Sequence, residues 1–296
     1  MARHLIHYCG GVEAVFKSSK NALLNIPGVR KTAIDFILKC NPEKLAAAEI
    51  EFLEKHKVKA LFFSDDDFPS RLKHFSNAPL MLYYRGTANL NHDRIVSIVG
   101  TRKPTEHGKA ICEELVDNLM AYDVLVVSGL AYGIDVTAHK KSLSLNIPNI
   151  GVLGHGLKTI YPSSHRLVAE RMLQCGGLLT EYTSDIGPER EHFPMRNRIV
   201  AGLADALIVV ETAKKGGSII TAELANQYNK DVFAVPGRLK DANSKGCNHL
   251  IKSHKAALIE SAEDIAYVMR WESSKEQRMV QQALFAELTE LSLIHI

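Results

Sequence analysis

The chain has 296 residues, 36 basic against 33 acidic side chains and a formal charge of +3. That size suits one core domain with small appendages, and so even a charge excludes overall basicity as the source of anion affinity, which must come from local clustering. Five scattered cysteines without metal spacing, no membrane-length apolar run and no secretion signal exclude a disulfide scaffold and a spanning protein; a soluble cytoplasmic chain with no metal and no cofactor is expected.

Met1 to Cys40 reads as helical, broken at Pro27 and Gly28 within LNIPGVRKTAIDFI. The break has the shape of a helix-hairpin-helix, whose turn can offer amides to a DNA phosphate, and equally that of an ordinary helix connection. Met1 to Ile6 resembles the middle of an uncapped helix, so an internal methionine as assigned start is expected. One more helix runs from Pro42 to Lys57, giving an N-terminal helical domain over 1–57. VKALFFS and APLMLYYRG then read as strands joined to the edge of a main sheet that begins at Arg94.

From Arg94 onward, apolar β-type runs ending at glycine alternate with helical patterns, as in IVSIVGTR, VLVVSGLAYG, NIGVLGHG, GLLTEY, ALIVVETAKKGG and VFAVPG. This grammar predicts an α/β fold, a parallel sheet covered on both faces, with ligands held outside the carboxyl ends of the strands. At Gly100, Thr101 and Arg102 a strand, a glycine turn and a helix start form a phosphate corner, because first-turn amides and the helix dipole favour an anion. Ser128 and Gly129 open a second turn; Asp135 and His139 behind it read better as a helix cap with a packed histidine than as a ligand site. Gly154 and Gly156 precede Lys158 and Tyr161, a cation and a flat face suited to a nucleic acid strand, although Tyr161 could equally roof the core. In PEREHFPMRNR, Arg190, Arg196 and Arg198 crowd around Phe193; two residues apart, Arg196 and Arg198 do not share a helix face, so one can reach a ligand while the other anchors the helix. Gly216, Gly217, Ser218 and Thr221, with Lys214 and Lys215, repeat the corner design. Several phosphate seats in a row fit a polynucleotide backbone better than one small nucleotide.

Together IVGTR, SGLAYGIDVTAH, LGHGLKTIYP, FPMRNRIVAGLAD, GGSIITAELA, VFAVPG and GCNHLI resemble the DNA-processing protein A family, DprA or Smf, over Val58 to Tyr267. The resemblance implies an extended Rossmann-like, doubly wound and mostly parallel sheet over 58–270. It also implies single-stranded DNA binding, loading of the recombinase RecA in natural transformation, a homodimer through the Rossmann-like domain, and no catalytic reaction. The family's DNA-contacting positions fall on Arg102, Arg190, Phe193, Arg196 and Arg198. Ser163 stands where many members have a lysine, which leaves Lys158 as the candidate replacement; KSHKAALI departs from the usual spacing after Ile251. GGSIITAE also resembles the signature of nucleotide phosphoribohydrolases of the LOG type, in which Glu223 would be the acid and Arg198 its partner. Residues 271–290 resemble a linker toward a winged-helix-like domain. LSLIHI at 291–296 reads as a translated transposase end left by library preparation.

Overall fold

Two of the N-terminal helices start at a polar cap and a third at a glycine. The computed structural model describes residues 1–273, so 274–296, with most of the expected linker and all of LSLIHI, lie outside the described residues. Two compact units are present, Met1–Lys57 and a second beginning at Val58. The first contains α1 (Ala2–Cys9), α2 (Val12–Lys17), α3 (Lys20–Leu24), α4 (Lys31–Lys39) and α5 (Pro42–His56) around Leu5, Val15, Leu23, Ile26 and Ile34. Ser19 caps α3 through Ala22 N (3.3 Å), and Asn41 caps α5 through Lys44 N (3.0 Å). Between α3 and α4 the chain turns with Gly28 at φ +76°.

The second unit runs β1 (Lys59–Phe62), α6 (Ser70–Lys73), β2 (Met81–Gly86), β3 (Ile95–Val99), α7 (Glu106–Leu119), β4 (Leu125–Ser128), α8 (Ile134–Ser144), β5 (Asn149–Val152), α9 (Arg166–Met172), β6 (Gly176–Thr180), α10 (His192–Leu203), β7 (Ala206–Val209), α11 (Gly217–Gln227), β8 (Asp231–Ala234), α12 (Lys245–Lys252), β9 (Ala257–Leu258) and α13 (Ala262–Met269). Among the described residues one sheet forms, in the order β1-β2-β6-β5-β4-β3-β7-β8-β9. The pairs from β6 to β9 are parallel, while β1 and β2 add an antiparallel edge against β6. The two-residue β9 left no apolar run long enough to be read from the sequence.

Alternation along each strand divides the core. Ile95 and Val99 pack with residues of α10, α11 and α12, whereas Val96 and Ile98 pack with α7, α8 and α13. A strand buried on both sides must be apolar throughout, as β3 is, apart from Ser97. That hydroxyl donates to Val200 O at 2.7 Å, satisfying a carbonyl in the last turn of α10. Asp205, just before β7, accepts Arg71 Nε (2.7 Å), Arg71 Nη2 (2.8 Å) and Ile95 N (2.9 Å), which ties the edge extension to the central strand.

Candidate nucleic-acid interface

The centre of the sheet is where chain direction splits. β3 pairs with β4 on one side and with β7 on the other, and the connections that follow lead to helices on opposite faces. Such a switch point opens a crevice at the carboxyl ends of the strands. A cavity of about 230 Å³ occupies it, walled by Gly100, Thr101 and Arg102 after β3, Gly129 after β4, Arg196 of α10, and Gly216, Gly217, Ser218 and Thr221 at the start of α11. Three of the corners legible in the sequence therefore open into one space.

Arg196 is the buried cation of that space. Its Nη1 donates to Val152 O at the end of β5, and its Nε has no partner among the described residues. Asp135 is buried beside it. A Cβ on Gly129 would lie 2.3 Å from Arg196 Nη1 and 2.3 Å from Asp135 Oδ2, so the absent side chain makes room for the pair. Burial pushes the Asp135 carboxyl up against the pull of Arg196, and burial also pushes Arg196 down, from a value so high that the guanidinium stays charged. Asp135 does not cap the first turn of α8 as the sequence suggested; it accepts from Ala131 N (3.4 Å), upstream of the helix, because Gly133 starts the helix with no side-chain cap. His139 is fully buried, as expected of a packed histidine.

Arg102 is exposed, and its guanidinium carbon lies 5.8 Å from the centre of the Phe193 ring. Tyr161, half exposed, approaches the same ring with centroids 5.7 Å apart. These three residues, with Gly154 and Arg196, line a second, smaller hollow of about 40 Å³ that shares Arg102 and Arg196 with the first. A charged rim and an aromatic platform thus adjoin.

The helix starts differ in what they offer. At α7 the anion place is already filled from within: Thr105 N and Thr105 Oγ1 donate to the two carboxylate oxygens of Glu211 (2.9 and 2.6 Å), and Gly108 N donates to Thr105 Oγ1 (3.0 Å). The first corner therefore presents Arg102 and the loop, not the α7 amides expected from the sequence. Gly100 serves packing as well, since a Cβ there would fall 2.4 Å from Ile134 Cγ1. At α11 no side chain caps the helix, and the amides of Gly217 and Ser218 have no acceptor among the described residues. The hydroxyls are committed inward, Ser218 Oγ to Thr212 Oγ1 (2.6 Å) and Thr221 Oγ1 to Gly217 O (3.3 Å).

The remaining expected positions line neither hollow. Ser128 is buried and donates to Ile98 O (2.5 Å); Gly156 is pressed against the backbone of Thr183 and Ser184, where a Cβ would meet an oxygen at 2.0 Å. Lys158 pairs with Asp185 (2.6 Å), Arg198 with Glu181, and Arg190 is exposed before α10. Arg196 and Arg198 thus divide as their spacing demanded, one to the cavity and one to an internal carboxylate. Asn197 and Thr212 line the main cavity and were missed, since a single amide and a single hydroxyl carry no motif.

Fold and crevice together define a doubly wound α/β protein with an electropositive, aromatic-flanked cavity at its switch point. Residues 59–270 match the family model for DNA recombination-mediator protein A, and the chain belongs to that family. It is 41% identical over 210 residues to protein Smf of Synechocystis, covering 68% of this chain and 52% of that protein, about half its length. Against DNA processing protein DprA of Streptococcus pneumoniae it is 36% identical over 212 residues, covering 72% of this chain and 74% of the relative. The X-ray structure of DprA from Streptococcus pneumoniae superposes with a TM-score of 0.77 at 31% identity, over 92% of both chains. A solved structure of DNA processing protein A from Helicobacter pylori, described for its single-stranded DNA binding mode, gives 0.66 at 29% identity, over 73% of this chain and 98% of that one.

Proposed function

We propose that this chain binds single-stranded DNA along the carboxyl edge of its sheet and acts as a recombination mediator, delivering the strand to RecA as a homodimer. The observation that carries the reading is the single cavity that joins Arg102, Arg196 and the uncapped start of α11, with Phe193 and Tyr161 alongside. Guanidinium groups and amides seat phosphates, which positions a strand without reading its sequence. Aromatic faces accept unpaired bases and contribute about 1 to 3 kcal/mol per base. Duplex DNA hides those faces, so single strands are preferred. The function is binding and hand-over, without a reaction of its own.

The phosphoribohydrolase reading loses its pair. Glu223 is bound to Lys255 (3.2 Å) and Arg198 to Glu181, so the proposed acid and its arginine are each held by another partner. Fluorescence anisotropy with single-stranded and duplex DNA of equal length, at two salt concentrations, tests the proposal. Single strands should bind more tightly, with affinity falling at a log-log slope of about 0.7 per neutralised phosphate. Arg102→Ala should weaken binding with an unchanged melting temperature; equal affinity of that variant and the parent would remove Arg102 from the site, and equal affinity for duplex would defeat the proposal.

A further inference from the structure

Beyond the main cavity, the carboxyl edge carries cations that the reading above does not use. Lys103, Lys214, Lys215, Arg238, Lys240 and Lys245 are all exposed, and none forms an ion pair among the described residues. The backbone brings them to one corner. Asn243 Nδ2 donates to Lys103 O (3.1 Å), Thr212 N donates to Asn243 O (2.8 Å), and Gly246 N donates to Thr212 O (2.8 Å). The start of α12, the loop after β7 and the loop after β3 are thereby stitched together. Asn248 brackets Gly237 from both sides (3.1 and 2.8 Å), holding Arg238 at the same edge.

A third hollow of about 410 Å³ opens there, walled by Thr105, His107, Glu211, Arg238, Asp241 and Ser244. It is separated from the main cavity by the Thr101–Thr105 segment, whose two ends line one hollow each. Of the acids nearby, Glu106 is paired with Lys109 (2.7 Å), whereas Glu211, bonded only to the neutral Thr105, and Asp241 keep their charge on the wall of the hollow, where the exposed cations outnumber them. The opposite flank carries fewer unpaired cations. There Lys158 is neutralised by Asp185 and Arg198 is held at the end of β6 by Glu181, while Arg190 before α10 stays exposed with no ion pair among the described residues. Unpaired charges attract a polyanion without first breaking an internal contact, and a cationic edge releases counterions when a strand lies on it.

We infer that a single strand longer than the main cavity leaves it over the β7 and β8 side, passing Lys103, Lys214 and Lys215 into the hollow edged by Arg238, Lys240 and Lys245. The inference rests on the single-strand reading above and adds the direction of the path. Longer strands therefore gain affinity from charges that a short one never meets.

Two probes separate the parts of the path: an oligothymidylate of about 4 nucleotides, enough for the cavity, and one of about 20. In the full chain, the triple variant Arg238→Gln, Lys240→Gln, Lys245→Gln should bind the long probe about tenfold more weakly, with the salt slope lowered by about 2, at about 0.7 per lost phosphate contact. Its affinity for the short probe and its melting temperature should stay as in the parent. Lys158→Gln should leave both probes unchanged. If the triple variant keeps the long-probe affinity and slope while Arg102→Ala still weakens both probes, the exit path is wrong and the main site stands. A loss of slope in Lys158→Gln, with none in the triple variant, places the path on the other flank and overturns the inference. If Arg102→Ala changes neither probe, the underlying reading itself fails.

Discussion

His139 is one proton short of its surroundings. Its Nδ1 faces Asn149 Oδ1 at 3.0 Å and its Nε2 faces Gly129 O at 2.6 Å, two oxygens for a neutral ring that has a single N–H. Asn149 cannot turn its amide to help, because its Nδ2 already donates to Ile147 O (3.1 Å) and Cys175 O (3.4 Å). Burial opposes the second proton more strongly than those oxygens invite it, with Arg196 adding repulsion, and the ring is pushed down to about 4. In the unfolded chain the same ring takes its proton near pH 6.5. Between those values the unfolded state binds the proton and the folded state does not, so stability is lost as pH falls from about 6.5 to about 4. Urea unfolding across that window should show the slope, and His139→Gln, which keeps a polar side chain that does not titrate, should flatten it. Burial pushes His155 down too, so part of the slope is expected to persist in the variant. Burial pushes the Asp135 and Glu181 carboxyls up, which acts in the opposite sense as pH falls, so the difference between parent and variant is decisive: identical slopes in the two would contradict this account.

At the scale of elements, α10 connects the site to the fold. Arg196 points one face of the helix at the cavity, and Arg198 anchors another to Glu181, with both partners of the ion pair largely buried. Removing one partner of a buried pair strands the other charge, whereas replacing both by apolar groups costs little. Arg198→Met should therefore lower stability by about 3 kcal/mol, and the double change with Glu181→Met should recover most of it; equal losses in the single and double variants would show that the pair does not hold α10. The division of labour was legible in the spacing of MRNR, because residues two apart on a helix point apart. Which arginine did which was not, since Glu181 lies 17 positions away, just after β6. The same limit hid the Glu211 carboxylate at the start of α7, 106 positions from Thr105. Local glycine and helix grammar specified the corners; long-range side-chain pairing decided which of them remained open.

For the whole molecule, periodicity and glycine turns were enough to foresee a parallel sheet with an extension at its edge, because the strands from β3 to β8 carry their own apolar runs; the antiparallel direction of β1 and β2 and the short β9 had no such signal. The partition of the chain at Lys57 and Val58 leads to a further expectation. Residues 58–273 produced alone should unfold cooperatively and hold single-stranded DNA within about threefold of the full chain, as measured by calorimetry and anisotropy. A loss beyond tenfold would assign part of the strand's contacts to the helical unit.

The order of strands also sets a timetable for synthesis. Val96 of the central strand lies beside Ala206, 110 positions later in the chain. At about 5 to 20 residues per second, a ribosome leaves that apolar margin without its neighbour for about 5 to 20 seconds. During this interval β3, with β4 already beside it, offers a bare ladder of amides and carbonyls to any other nascent chain. Slowed translation between the codons for Leu125 and Val209 should accordingly raise the share of insoluble product, and co-expressed chaperones should lower it.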